Sequence, residues 1–567
     1  MAGLLTKLTV GNLTNLGAIQ NNVYTYLQDD WRTTSKLTLN YGIRYELPFA
    51  WHSADNQGVM FSPGFQSRVI PSAPIGLGYE GDPFPGNAKV RSRFNNVAPR
   101  FGFAYDMFGN GSTLVRGGMG FFFDALNAAV IGVGSPFNYS AFYNDPQGGI
   151  SQPLMGEPNI APNYVKGNVS FGTPLSVNFV DPNLAMPYTM AINLGFQRRV
   201  RASGMLELNY VGKLGRHQLI QFDLNPAIFD CNGAYYASNP ALYCPGGIGN
   251  LSSTTASTSD QARVKYPGFA YGGQGAVDSA SIGTSSYNGL QLMYTQVTRK
   301  SIKLKASYTY SKSLDLQSNG QTSSSAVPNP SDLHSQYAVS DFDATQVLNI
   351  GWVYNLPKTT RFNAPIRAVL NNWIYSGVYN ARTGLPVNLT ISGDQAFTGE
   401  PHQRPQATPG VSPNLPSGRH RSCVAVAGSL TNCKVQAWFN NVTVPVTAAN
   451  NNGSNTQCIA PAAFCTPAFG TLGNVGRNSL RGPAFIATSM AVGRNFPLPR
   501  EGATLEFKAD AFNVFNTPNL ANPASSLSNS TSNSTINTFG VVLATVGTNG
   551  NVGPNGRRMQ FSLVLRY

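Results

Sequence analysis

The chain closes on Arg557-Arg-Met-Gln-Phe-Ser-Leu-Val-Leu-Arg-Tyr567, in which Met559, Phe561, Leu563, Leu565 and Tyr567 alternate with Gln560, Ser562, Val564 and Arg566. Successive side chains of a strand point to opposite faces, so this stretch has one apolar face and one more polar one. It is about as long as a tilted strand must be to cross a bilayer, and it ends on an aromatic ring suited to a membrane–water interface. It predicts the closing strand of an outer-membrane β-barrel. The rest of the chain must then repeat the pattern.

It does, and the charges say which face is which. In Leu37-Thr-Leu-Asn-Tyr-Gly-Ile-Arg-Tyr-Glu46 the apolar set is Leu37, Leu39, Tyr41, Ile43 and Tyr45, while Arg44 and Glu46 share the other face. The opposite register would put Arg44 in lipid, at roughly 2–4 kcal/mol near the midplane. Phe101, Phe103 and Tyr105 oppose Arg100 and Asp106 in the same way, and Val115, Met119 and Phe121 oppose Arg116 and Asp124. Ile302, Leu304, Ala306, Tyr308 and Tyr310 oppose Lys303 and Lys305; Leu505 and Phe507 oppose Glu506, Lys508 and Asp510. Met190/Ile192/Leu194/Phe196 and Leu348/Ile350/Trp352/Tyr354/Leu356 alternate without charges. About thirteen such segments can be read on the period of two.

A soluble β-sandwich also alternates, but its connections need not. Here, counted from the carboxyl end, they run long (514 to 556), short (497 to 501), long (382 to 484), short to medium (357 to 370), long (313 to 343) and short (299 to 301). Towards the amino end they continue long (213 to 285), short (200 to 203), long (124 to 186), short (107 to 111), long (47 to 96) and short (32 to 36). That alternation predicts an all-β, antiparallel up-and-down transmembrane barrel with short periplasmic turns and long extracellular loops.

Composition agrees. Charged residues make up 11% of the 567 residues, with 32 Phe, 25 Tyr and 58 Gly; soluble domains carry roughly 25% charge. The most apolar candidate for a spanning helix, Gly120 to Gly134, is broken by Asp124 and Asn127, which excludes a helical membrane protein. The net charge of +14 is dispersed, with no basic run longer than Gln197-Arg-Arg-Val-Arg201, so nucleic acid is not an expected partner.

The cysteines form neighbouring couples, Cys231 with Cys244, Cys423 with Cys433 and Cys458 with Cys465, all in connections assigned to the outside. Their spacing and the scattered histidines do not suit zinc, so local disulfides in an oxidising compartment are expected. Neither a metal site nor a cofactor is expected. Gly117-Gly-Met-Gly120 and Gly272-Gly-Gln-Gly275 lack the helix of a phosphate-binding loop. The paired carboxylates Gln28-Asp-Asp30 and Asp341-Phe-Asp343 are better explained as loop caps or strand ends than as catalytic groups.

Gln28-Asp-Asp-Trp-Arg32 followed by Leu37 to Tyr45 resembles the barrel of TonB-dependent outer-membrane receptors, in particular the Oar-like branch. Tyr210-Val-Gly-Lys-Leu-Gly-Arg216, Tyr308-Thr-Tyr-Ser-Lys-Ser313, Trp373-Ile-Tyr-Ser-Gly-Val378 and Thr383-Gly-Leu-Pro386 extend the likeness. Gly473-Asn-Val-Gly-Arg-Asn478, Leu480-Arg-Gly-Pro483 and Ala511-Phe-Asn-Val-Phe-Asn516 complete it, in the family's order, from about residue 22 to Tyr567. The sequence departs from the family at Thr488, near where Asp is usual, and at Gln346, near where His is. The resemblance implies a 22-stranded barrel around an amino-terminal plug, of which about 13–14 strands are expected here. Residues 1–21 are then an amino-terminal remnant with room for one strand, and 22–567 a partial receptor barrel. With no signal peptide at its start, the chain reads as a fragment or a misassigned start.

The resemblance further implies uptake of a bulky solute, with no covalent chemistry. Its partners would be outer-membrane lipid, the TonB complex, an extracellular solute and the barrel-assembly machinery, for which Met559, Phe561, Leu563, Leu565 and Tyr567 form the terminal signal. Arg44, Glu46, Arg100, Asp106, Arg116, Lys303, Lys305, Glu506, Lys508 and Asp510 are the candidate lumen-lining residues. Two other functions fit a barrel: a passive, porin-like channel, which requires the first strand to pair with the last, and a surface adhesin.

Overall fold

A computed structural model of the chain describes residues 7–11, 18–49, 52–53, 58–83, 93–125, 140–144, 171, 174–181, 183–200, 203–244, 260–272, 275–298, 301–318, 327–414, 421–426, 429–443, 456–498, 503–527, 538–546 and 556–566. Thirteen strands follow one another in sequence order in a single antiparallel meander. They are β1 (Asn22–Arg32), β2 (Leu37–Pro48), β3 (Asn96–Asp106), β4 (Thr113–Phe123), β5 (Tyr188–Val200), β6 (Gly204–Asp223) and β7 (Ala276–Val297). The series continues with β8 (Ile302–Asp315), β9 (Gln346–Asn355), β10 (Trp373–Arg382), β11 (Phe485–Pro497), β12 (Thr504–Phe512) and β13 (Arg558–Arg566). Among the described residues three short α-helices occur, α1 (Ala234–Ser238), α2 (Pro240–Tyr243) and α3 (Ala364–Leu370), with two 3-10 turns at Asp260–Arg263 and Leu333–Gln336. None is long and apolar enough to cross a membrane.

Register carries the parity of each strand to its neighbour. Tyr41 pairs with Phe101 and Phe101 with Met119, while Gly42 pairs with Arg100 and Arg100 with Gly120, so one face stays apolar and the other polar across β2, β3 and β4. At the far end Leu563 pairs with Phe507 and Ser562 with Lys508, which sets Met559, Phe561, Leu563 and Leu565 on the apolar face. Tyr567 lies outside the described residues. Among the described residues β1 pairs with β2 alone and β13 with β12 alone, so the closure required of a passive channel is not among the pairings.

The short turns share one rim and the long connections the other. Sequence alternation ended β6 near residue 213 and began β7 near 285, but both strands run on, to Asp223 and from Ala276. The pairing continues through register shifts between Gly215 and Ile220. There the period of two breaks, because the ladder has left the lipid and is covered by the long connections: the consecutive Leu219 and Ile220 are both buried, as are Ala276 and Val277, and Val177–Val180 pairs with residues 276–279. The strand expected before residue 22 exists as Lys7–Gly11, but it pairs with Ser140–Asn144 outside the large sheet; residues 12–16 lie outside the described residues.

The long connections, which composition marks as polar, build two apolar cores. The first packs Ile70, Leu77 and Tyr79 against Val177, Phe179 and Phe269, with the Phe61 ring 5.0 Å from Phe179 and 4.8 Å from Tyr266. The second gathers Leu389, Ile391, Phe464 and Leu527 around Phe439 and Phe539, whose rings are 5.1 Å apart. Each such side chain taken from water contributes roughly 1.5–3 kcal/mol, and the first core is also tied to the wall, since Val177–Val180 pairs with residues 276–279 of β7.

Candidate functional site

Three cavities lie along the polar face. One of about 470 Å³ is bounded by Arg44, Arg100, Phe122 and Asn193. Arg44 stacks on Tyr24 at 4.7 Å and donates to Glu46 at 2.7 Å; Arg100 lies 4.6 Å over Phe122. The wall is lowered here by Gly42, where a Cβ would stand 2.8 Å from the Leu27 carbonyl oxygen. A second, of about 520 Å³, is bounded by Lys303, Lys305, Ser376, Ser489, Lys508 and Asp510, with Lys508 and Asp510 paired at 2.8 Å. The third, of about 500 Å³, sits at the rim of the long loops and is lined by Thr189, Lys213, Ser285, Tyr287, Ser313 and Asp315.

The remaining charged candidates have more local partners. Asp106 accepts the amides of Gly109 and Gly111, so it caps the turn after β3. Arg116 stands opposite Gly195 on the polar face, and Glu506 accepts from Arg566 at 2.9 Å across β12 and β13. Asp30 accepts from Asn40 and Asp29 from the Tyr41 hydroxyl, at 2.7 Å, so this carboxylate pair bonds to the next strand.

The rim cavity is tied to a loop clasp that the sequence holds in two distant pieces. Asp341-Phe-Asp343 comes from the connection after β8, and Gly473 to Asn478 with Leu480 to Pro483 from the one after β10. Arg477 forms an ion pair with Asp315, donates to the Asp315 and Gln336 carbonyls at 2.7 and 3.1 Å, and approaches Asp341 at 3.5 Å. Asn478 donates to Asp341 at 2.6 Å, and Arg481 pairs with Asp343 at 2.5 Å. Asp343 also accepts the Ser313 amide at 2.7 Å. The carboxylates of Asp341-Phe-Asp343 therefore serve as anchors for arginines. Asp315, Ser318 and Phe342 belong to this clasp and line the cavity as well.

Further groups were not singled out from sequence. Asp82, 1% exposed, accepts from Ser67 Oγ and from the amides of Arg68, Val69 and Tyr79 at 2.7–3.0 Å. Although burial opposes it, these four bonds hold the carboxyl below its ordinary range. Asp223 and Glu400 bury their carboxyl groups together, at 0% and 1% exposure; burial, the hydrogen bond and charge of Asp223, and the charge of Asp394 push Glu400 up to about 10. Burial pushes Asp260 up to about 6 against the pull of its partner Arg263. Asp260 and Arg263 are three residues apart in one turn, but local spacing carries no sign of the Asp82 and Asp223–Glu400 groupings, whose partners come from different turns or different connections.

Disulfides join Cys231 to Cys244 and Cys458 to Cys465, with Cα atoms 5.0 and 5.1 Å apart. The side chains of Cys423 and Cys433 lie outside the described residues. Among the described residues no group of three or more His, Cys, Asp or Glu side chains is arranged to hold a metal ion.

A family model described as an outer membrane beta barrel domain matches residues 1–560. No curated protein matches the chain. Solved structures that match include the outer membrane transporter YddB from Escherichia coli, at 10% identity and TM-score 0.40 over 96% of this chain and 54% of that one. The siderophore receptor PiuA from Acinetobacter baumannii matches at 7% identity and TM-score 0.40, over 96% and 43%. The ferric citrate transporter FecA in its unliganded form matches at 10% identity and TM-score 0.38, over 96% and 44%. The chain spans about half the length of these structures, or slightly less.

Proposed function

The chain belongs to the family of outer membrane beta barrel domains, and from that membership we propose that it forms barrel wall of a TonB-dependent, Oar-like receptor that takes up a bulky solute. It resides in the bacterial outer membrane. The ordered motifs from Gln28 to Asn516 support the receptor reading over a generic barrel. The observation that carries it is the shared use of Asp315, Ser318 and Phe342 by the rim cavity and by the clasp that holds the loop after β10. A site whose lining also fastens an external loop suits a receptor that must register its solute; a static pore has no need of it. The charged candidates from Arg44 to Asp510 then line the path inward, and the chemistry is binding and passage without covalent change.

The test compares cells carrying the gene, cells lacking it and cells lacking TonB for depletion of solutes from the medium. Loss of the same solute's uptake in both mutants is expected. A steady conductance of the full chain in planar bilayers, together with uptake that ignores TonB, would overturn the reading in favour of a passive channel.

A further inference from the structure

The connection from β9 to β10, residues 356–372, lies on the rim of short turns and carries α3. The end of α3 is tied to the wall through one carbonyl oxygen. The Val369 carbonyl oxygen near the end of α3 accepts from Trp373 Nε1 at 2.9 Å and from Arg494 Nη1 at 2.6 Å. Trp373 and Arg494 are register partners, and the same register sets Tyr375 against Val492 and Gly377 against Met490. Both donors therefore stand on the apolar face, the one that meets lipid, and they hold the helix end outside the barrel.

Arg494 would be a misplaced charge there if it were bare. It is 4% exposed, with its guanidinium 4.2 Å from the Phe496 ring centroid and 5.4 Å from that of Trp373. The helix end, two rings and a carbonyl enclose it, which is how a cation is kept at the edge of a hydrocarbon layer.

The outward side of α3 is unlike a loop built for water. Ile366, Val369 and Leu370 repeat at helical spacing and are all exposed, and exposed Phe362 and Leu356 precede them. Lys358, Arg361 and Arg367 are exposed too, and 356–372 contains no Asp or Glu. An apolar stripe flanked by cations alone, continuous with a lipid-facing wall, has the composition of a segment that lies in a membrane interface.

We propose that residues 356–372 form an interfacial foot. Ile366, Val369 and Leu370 seat in the periplasmic leaflet, and Lys358, Arg361 and Arg367 engage the phosphates of anionic phospholipid. This assignment rests on the membrane location of the wall and not on the transport reading, so either can fail alone.

The test uses full-length Val369→Cys and, as an aqueous reference, Lys36→Cys in the turn after β1, each labelled with an environment-sensitive fluorophore in isolated outer membranes. Added phospholipids carry a nitroxide near the headgroup, and iodide quenches from water. The Val369 label should be quenched by nitroxide lipid at least about threefold more than the Lys36 label, and by iodide correspondingly less. Nitroxide phosphatidylglycerol should quench it more than nitroxide phosphatidylcholine, and Lys358→Gln/Arg361→Gln/Arg367→Gln should abolish that difference. Equal iodide quenching at both positions would overturn the foot, as would shielding from iodide that needs added periplasmic protein. Equal quenching by the two lipids would overturn the anionic-lipid assignment.

Discussion

Replacing Arg477 with Ala should release the loop after β10 from the strand ends. The Arg477 and Asp315 side chains are each 7% exposed, and the guanidinium also serves the Asp315 and Gln336 carbonyls. Removing one partner of such a buried pair costs about 3–5 kcal/mol, most of it the charge left behind. A second buried cation reduces the loss: Arg404, pushed down to about 10 by burial and by Arg477, gains when its neighbour's charge is removed. The lower end, about 3 kcal/mol, is therefore expected, which is about a hundredfold loss of amide exchange protection at 1.4 kcal/mol per tenfold. Hydrogen exchange of the 472–482 segment in outer membranes measures it directly. Arg477→Ala/Asp315→Asn should recover most of the protection, because no buried charge is then unpaired, whereas Arg477→Lys should recover less, a single ammonium being unable to reach all the acceptors at once. Protection in Arg477→Ala within about threefold of wild type, or no recovery in the double variant, would refute the clasp.

Asp82→Ala should unfasten the loop between β2 and β3 by about 2–4 kcal/mol, since four donors lose their acceptor, read as faster proteolysis within 58–83. Because the Asp82 carboxyl is held below its ordinary value, its contribution is present above the unfolded carboxylate range and is lost as pH falls through the lower folded value; a loop equally protected under acid would contradict this. Glu400 has the opposite sign: raised to about 10, its contribution is complete below the unfolded value near 4.5 and is lost as pH rises towards 10. Exchange at 394–403 should therefore quicken between those values, and Glu400→Gln should flatten the profile. In β13, Leu563→Arg should cost about 2–4 kcal/mol near the midplane and lower the heat-modifiable folded fraction, while Ser562→Arg on the polar face should not; equal loss from both would contradict the register.

The strands were legible because lipid enforces parity: a single slip exposes Arg44 or Lys303 to hydrocarbon, so the pattern is written into each segment. Outside the membrane that constraint ends. The extension of β6 and β7 past residues 213 and 285 leaves no period of two, since both its faces are covered by loops and consecutive residues such as Leu219 and Ile220, or Ala276 and Val277, are buried together. The clasp was legible only as parts. Asp343 and Arg481 stand 138 residues apart, and nothing in either local sequence specifies the partner. Arg494 is a further case, a charge on the apolar parity that becomes sensible only once Val369, Trp373 and Phe496 are seen to enclose it.

The double use of Asp315 constrains how a solute could be registered on the proposed reading. A solute in the rim cavity reaches Asp315 on one side while Arg477 holds it on the other. Displacing the guanidinium without replacement would leave a buried carboxylate unpaired at about 3–5 kcal/mol, more than most single contacts return. Only a solute that presents its own donors or positive charge to Asp315 can release the loop cheaply; an apolar solute of the same volume would bind beneath a loop that stays fastened. Exchange of 472–482 with the transported solute bound should therefore rise towards that of Arg477→Ala for a donor-rich solute. A donor-rich solute that leaves this exchange unchanged would show that the cavity and the clasp share residues without sharing energy.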